Sequence, residues 1–211
     1  YTGAAQSATI VATASGVTGN VGGTPSAILY NGSATLPINA ATYAVTASFT
    51  PTDTANFNTV TAASAGNFVI GKANPTLSVT NSPVVYNGSP QAATVTGSVG
   101  GTPGAILYDG SATVPTTAGT YAITANFTPT DTTNYNSLTA AAAGNFIIGK
   151  ATPTVSVTNS PVVYNGAAQA ATVTGSVLGT ASAVLYNGSA TVPTAAGTYA
   201  VTANFVPTDT N

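Results

Sequence analysis

Residues 73–133 recur 78 positions later as residues 151–211, identical at 48 of 61 places, and a looser copy precedes both. Tyr30, Tyr108 and Tyr186 form one series and Tyr43, Tyr121 and Tyr199 a second, each stepping by 78. A period of that length is one small domain per copy, so the chain works by repetition of a module. Each copy is long enough to close a small core of its own. The boundaries read as repeat 1 at 1–71, repeat 2 at 72–149 and repeat 3 at 150–211. Tyr1 aligns with Tyr86 and Tyr164, inside a copy, and Asn211 with Thr133, before a copy's end. Repeat 1 is therefore expected to lack its first strand and repeat 3 its last, as in a cut from a longer array or a unit completed by its neighbour. Repeat 1 also carries a 7-residue insertion: 22 residues run from Tyr1 to Gly22 where 15 run from Tyr86 to Gly100.

Within a copy the pattern is short alternating runs separated by turn residues. In repeat 2, TLSVTN leads to Pro83, VVY to Asn87-Gly88, AATVTGSV alternates, AILY meets Asp109-Gly110, SATVP follows, GTYAITANF is the longest run and GNFIIGK closes the copy. That predicts about seven strands with turns every 8 to 12 residues, the spacing of an antiparallel sandwich. Only SLTAAAAG favours helix, and it is too short for more than a single turn. On GTYAITANF, alternation puts Tyr121, Ile123, Ala125 and Phe127 on one face, expected to meet the core. Tyr43, Val45, Ala47, Phe49 and Tyr199, Val201, Ala203, Phe205 are the equivalent sets. Tyr43, Phe49, Tyr121, Phe127, Tyr199 and Phe205 are thus the expected core anchors. The fold class that follows is all-β: tandem immunoglobulin-like antiparallel β-sandwich repeats of period 78, joined by GKANPT and GKATPT. Those joints are short and hold Pro75 and Pro153, which predicts a rod or filament.

KATPTVSVTNSPVVYNG, ATVTG, LYNGSATVPTAAGTYAVTANF and PTDTTNYNS together resemble the MBG and bacterial Ig-like tandem repeat families of extracellular bacterial surface proteins. The resemblance covers nearly every residue and recurs in each copy. It implies a β-rich extracellular or cell-surface module, bacterial and secreted, used as a stalk or spacer in adhesins and fibres and not in catalysis. The AGTY run is similar to the start of the sixth strand of immunoglobulin-like domains, where a tyrosine bonds backbone across a corner.

Charge narrows the classes further. Only Lys72, Lys150, Asp53, Asp109, Asp131 and Asp209 carry side-chain charge, 3% of the chain against roughly 25% in ordinary soluble domains. Thr, Ser, Asn and Gly must then supply the polar surface, and so little repulsion invites self-association unless a sugar coat intervenes. Nucleic acid is not an expected partner, because phosphate neutralisation needs clustered Lys and Arg. No apolar run reaches the roughly 18 residues of a membrane span. Catalysis has no base to use, with His absent and the Asp residues scattered, so neither catalytic residues nor cofactors are expected.

The remaining motifs each have a plain reading. Asp53, Asp131 and Asp209 recur in PTDT, where a carboxylate bonds nearby amides in a turn; one Asp per copy is thin for calcium, and no metal site is expected. Lys72 and Lys150 read as linker charges, since an isopeptide crosslink would need a buried acid. Asn31, Asn87 and Asn187 stand in NGS, the N-glycosylation acceptor pattern, and equally in the Asn-Gly of tight turns. The 40 Thr residues are the better candidates for sugar. The expectation is a non-enzymatic structural protein, the repeating body of an extracellular filament or surface stalk that self-associates, with strand addition as the sharper form. The competing class is an adhesin or carbohydrate-binding module whose ligand sits in loops, the insertion around ASGVTGN being the one elaboration available to it.

Overall fold

The computed structural model describes residues 1–210, all of them in strands, turns or irregular backbone with no helix. Copy one holds β1 (Gly23–Tyr30), β2 (Ala41–Pro51) and β3 (Val60–Ile70). Copy two holds β4 (Leu77–Val79), β5 (Val84–Val85), β6 (Val95–Gly97), β7 (Gly101–Tyr108), β8 (Gly119–Pro129) and β9 (Leu138–Gly149). Copy three holds β10 (Val155–Val157), β11 (Val173–Gly175), β12 (Gly179–Tyr186) and β13 (Val201–Pro207). β1-β2-β3 and β5-β9-β8-β7 form the larger sheets, while β4-β6, β10-β11 and β12-β13 are two-stranded. The chain is all-β throughout.

Two compact units cut across the copies. The first takes residues 1–80, 94–112 and 122–144, and the second takes 81–93, 113–121 and 145–211. Copy two therefore contributes to both, with β8 and β9 running through the two sets.

In the first unit, Ile123, Ala125 and Phe127 of β8 are each 1% exposed, and Val45, Ala47 and Phe49 of β2 are buried at the same register. The ring of Phe127 lies over the β4–β6 ribbon, so two layers of strand meet at that aromatic. Gly97 in β6 and Gly101 in β7 make room for it: a Cβ on Gly97 would stand 2.3 Å from the ring and one on Gly101 2.5 Å. In the second unit Gly175 and Gly179 sit under Phe205 in the same way. There Val201, Ala203 and Phe205 are only half-buried, because β13 pairs with β12 alone among the described residues.

Two local readings of the sequence differ from the structure. SLTAAAAG is part of the extended β9, since pairing with β8 outweighs the helical preference of its alanines. SATVP is loop: only Ser111 bridges back, to Tyr108, and the Pro115 carbonyl accepts the Gln91 amide at 3.0 Å. Copy two has six strands as a result. The outer strands are also bulged, with register shifts at Ser26/Leu29, Pro103/Ile106 and Ser182/Leu185. Ala27 and Ala183 take φ of 46° and 50° at two of these shifts, and Ala62 of β3 and Ala140 of β9 take 47°, a conformation that costs alanine of the order of 1 kcal/mol.

The ring-over-glycine packing is testable by a double mutant. Gly97→Ala should destabilise the chain by about 1–3 kcal/mol in chemical denaturation. In that background Phe127→Leu should cost less than it does in the native chain, because the shorter side chain relieves the crowding.

Candidate functional site: the joint between copies

The described residues hold no group of three or more His, Cys, Asp or Glu side chains placed to share a metal ion. The polar side chains that do converge lie where copy one passes into copy two, all of them inside the first compact unit.

This joint is built on the loop that begins at Asp131. One carboxylate oxygen accepts the amides of Thr133 and Asn134 at 3.1 Å each, an Asx turn, and the other accepts Asn134 Nδ2 at 2.8 Å. The turn presents Asn134 to the preceding copy. Its Oδ1 accepts the Ala40 amide at 2.7 Å and its Nδ2 also reaches Asn39 Oδ1 at 3.3 Å. The linker is bound along its backbone: Ala73 bridges Tyr135 in parallel, donating to the Asn134 carbonyl at 2.8 Å and accepting from the Asn136 amide at 2.9 Å. Asn136 Nδ2 donates to Asn74 Oδ1 at 2.7 Å, and the rings of Tyr1 and Tyr135 meet edge to face at 5.4 Å. Lys72 Nζ donates to the Thr132 carbonyl at 2.7 Å, so the linker cation has a fixed acceptor in the following copy.

Copy one supplies the control. Asp53 makes the same turn, accepting the Ala55 and Asn56 amides at 3.1 Å and Asn56 Nδ2 at 2.7 Å. Asn56 is exposed, whereas Asn134 is 6% exposed and buried. Burial at this position comes from the linker and the 39–40 turn of the preceding copy, not from the loop itself. In the second unit the arrangement recurs as far as residue 210: Lys150 Nζ donates to the Thr210 carbonyl at 2.6 Å and Tyr86 Oη to Asp209 Oδ2 at 3.3 Å.

Hydrogen bonding to the Asn134 side chain holds the Asp131 carboxyl below the usual carboxylate range. Partial desolvation opposes this, and the Asn134 and Thr133 amides and the Lys72 charge add to it. Asp53 is lowered for the same first reason, through Asn56.

The residues singled out in the sequence are spread over the copies and do not gather at the joint. Tyr43, Tyr121 and Tyr199 are half-buried, and their hydroxyls donate to the carbonyls of Asn39, Thr117 and Ala195 at 2.8, 2.8 and 3.1 Å. Phe49 and Phe127 are buried and Phe205 half-buried. Asn31 and Asn187 are exposed at the first position of two-residue turns, φ 48°, followed by Gly32 and Gly188 at φ 82° and 83°, which only glycine adopts freely. Their Oδ1 atoms accept the Ala44 and Ala200 amides at 2.8 Å, and Asp109 does the same for Ala122 at 2.8 Å. The turn thus uses the acceptor oxygen, which Asn and Asp share. Asn87 is exposed and its Oδ1 accepts the Ser89 amide at 3.0 Å. Asn134 and Asn39 were missed in the sequence; a polar Asn in a loop gives no sign of burial until residues 94 or 95 positions away are brought to it.

The family model of the MBG domain matches the chain three times, at residues 1–74, 75–152 and 153–211. The protein is a tandem array of MBG domains and belongs to that family. No curated protein and no solved structure matches it.

Two outcomes test the joint. Asn134→Ala strands the Ala40 amide and should cost about 1–3 kcal/mol in equilibrium unfolding, while Asn56→Ala in copy one should cost under about 1 kcal/mol. A carboxyl lowered by folding stabilises above its unfolded-state value, and that contribution is lost as pH falls through the folded value. The Ala40 and Ala73 amide resonances should therefore move toward those of an open joint below the ordinary carboxylate range. Asp131→Asn should remove this pH dependence in NMR titrations.

Proposed function

We propose that the chain is a non-enzymatic structural array, the repeating body of an extracellular filament or surface stalk. The observation that carries this reading is the joint. A chain of independent binding modules needs only a flexible tether, whereas here the linker is bonded along its backbone and side chains, and its lysine contact recurs 78 positions on. Membership of the MBG family supports an extracellular setting, since its repeats are typical of extracellular surface proteins. Among the described residues no helix is long and apolar enough to cross a membrane. The chain has no His, Glu or Cys, and its four Asp stand well apart in the sequence, at 53, 109, 131 and 209, which supports a reading without paired-carboxylate or thiol chemistry. Load would be borne by the antiparallel ladders and passed on through the bonded linkers.

An adhesin is the second reading, and one observation favours it. A space of about 270 Å³ opens beside the copy-one insertion, between Val17, Asn20, Val21, Thr52, Asp53 and Phe57.

Pulling the chain end to end in a single-molecule instrument separates a load-bearing array from a set of tethered beads. The array reading expects discrete rupture events, with about 25 nm of new contour for each fully released 78-residue copy. It also expects Asn134→Ala to lower the rupture force. Featureless extension at low force, together with selective capture on a glycan array, would move the assignment to the adhesin.

A further inference from the structure

Asparagine is followed by glycine at Asn31, Asn87, Asn165 and Asn187. Glycine carries no Cβ, so in this dipeptide the backbone nitrogen that follows the carboxamide is unshielded and can close on it. The fold puts these pairs in two settings. At Asn31 and Asn187 the carboxamide is tied to the facing strand segment. Their Oδ1 atoms accept the Ala44 and Ala200 amides at 2.8 Å, and their own amides donate back to the carbonyls of the same two residues at 2.9 and 2.8 Å. The side chain is thereby aimed away from the next peptide, and turning it inward breaks bonds that close the hairpin.

Asn87 is held differently. Its Oδ1 accepts the Ser89 amide at 3.0 Å, a local bond that spans the Asn87–Gly88 peptide and folds the carboxamide over the Gly88 nitrogen. Gly88 has φ 77° and nothing within 4 Å of the place a Cβ would take. The loop is fixed at both ends, by the Tyr86 amide on the Gly149 carbonyl at 2.8 Å and the Gln91 amide on the Pro115 carbonyl at 3.0 Å, while residues 87–90 between them are exposed. They can rearrange without parting two strands. Asn165 makes the equivalent bond to Ala167 at 3.0 Å but is also braced by Gln169 Nε2 at 2.8 Å.

We propose that Asn87-Gly88 is a site of spontaneous covalent modification, deamidation through a succinimide, and that the hairpin turns protect Asn31 and Asn187 from the same reaction. The Gly88 nitrogen attacks Asn87 Cγ and forms the ring bond; the Cγ–Nδ2 bond breaks, and ammonia leaves with the proton from Gly88. Water then opens the ring at either carbonyl, giving aspartate or isoaspartate, and is the one co-reactant. The aspartate product keeps the local bond, since Asp53 and Asp131 accept the Ala55 and Thr133 amides two residues on at 3.1 Å in the same manner. Each event adds one carboxylate to a chain whose net charge is −2, next to Tyr86, whose hydroxyl is already bonded to Asp209 at 3.3 Å. The inference holds whether or not the array bears load.

The test holds the 211-residue chain at mildly alkaline pH and follows the side-chain amide signals of each Asn by NMR, with mass spectrometry to identify the products. The Asn87 signals should decay about tenfold faster than those of Asn31 and Asn187, the two hydrogen bonds to the facing residue accounting for the difference. In concentrated urea, where the turns are lost, these three sites, each followed by Gly-Ser, should decay at one rate. Asn87→Asp should abolish the fastest gain of acidic species on ion-exchange chromatography. Decay of Asn31 or Asn187 as fast as Asn87 in the folded chain would overturn the proposal. So would the same ranking in urea, which would assign it to sequence alone, or an undiminished fast phase in the Asn87→Asp chain.

Discussion

Copy one closes on one interaction, the seating of its last strand against Tyr30, the tyrosine that precedes the Asn-Gly turn. Phe68 against Tyr30 does this in copy one, and in copy two the same strand buries Phe146 and Ile148 completely. The consequence is visible in the neighbouring strand. Ile123 of β8, the strand that pairs with β9, is 1% exposed, and its counterpart Val201, on a β13 that pairs with β12 alone among the described residues, is half-buried. The central strand alone does not make a core. The glycines under Phe127 and Phe205 do not change between copies two and three, so the difference between the cores is cover, not internal packing.

With so few charges, where they stand is informative. Four of the six, Lys72, Asp131, Lys150 and Asp209, lie at the joints; Lys72, Lys150 and Asp209 each make a hydrogen bond across one, and Asp131 acts there through Asn134. A charge-assisted bond is stronger than a neutral one and tolerates little misalignment, which suits a place where direction must be fixed. The remaining two, Asp53 and Asp109, cap turns. Elsewhere the outward sheet faces rely on hydroxyls, as in the cross-strand pairs of Thr24 with Thr50 and Ser26 with Ser48. The bulges in β1, β7 and β12 interrupt the regular ladder on the outer strands, and an irregular edge is a poor template for a passing chain.

Much of this was legible in the sequence because it is local or periodic. Strict alternation in GTYAITANF told the inward from the outward face of β8 correctly, and PTDT announced an Asx turn. Asn-Gly marked positive φ at Asn31 and Gly32. What escaped notice depends on distant partners. SLTAAAAG reads as at most a single helical turn by intrinsic preference, and its residues from Leu138 on become strand because β8 lies ready to pair with them. The bulged alanines carry no sequence mark, since alanine is an ordinary strand residue until the register shifts beside it. GKANPT reads as a short, stiff joint, but nothing local in it shows that Ala73 is a paired residue, bridged to Tyr135.

That last point changes what the module is. Sequence repeats suggest beads, each folding and yielding by itself, yet the first compact unit contains copy one together with residues 94–112 and 122–144 of copy two. In a linear array, stability is a sum of intrinsic terms and nearest-neighbour terms, and bonds such as Asn134 to Ala40 belong to the second kind. A copy followed by another is then held by contacts its own residues do not make, and loss of one joint weakens the copies on both sides of it. On the proposed filament reading this arrangement would spread load over the linker, the Asp loop and residues 39–40, so that an array of small and nearly uncharged domains would resist extension at its joints as well as within its sheets.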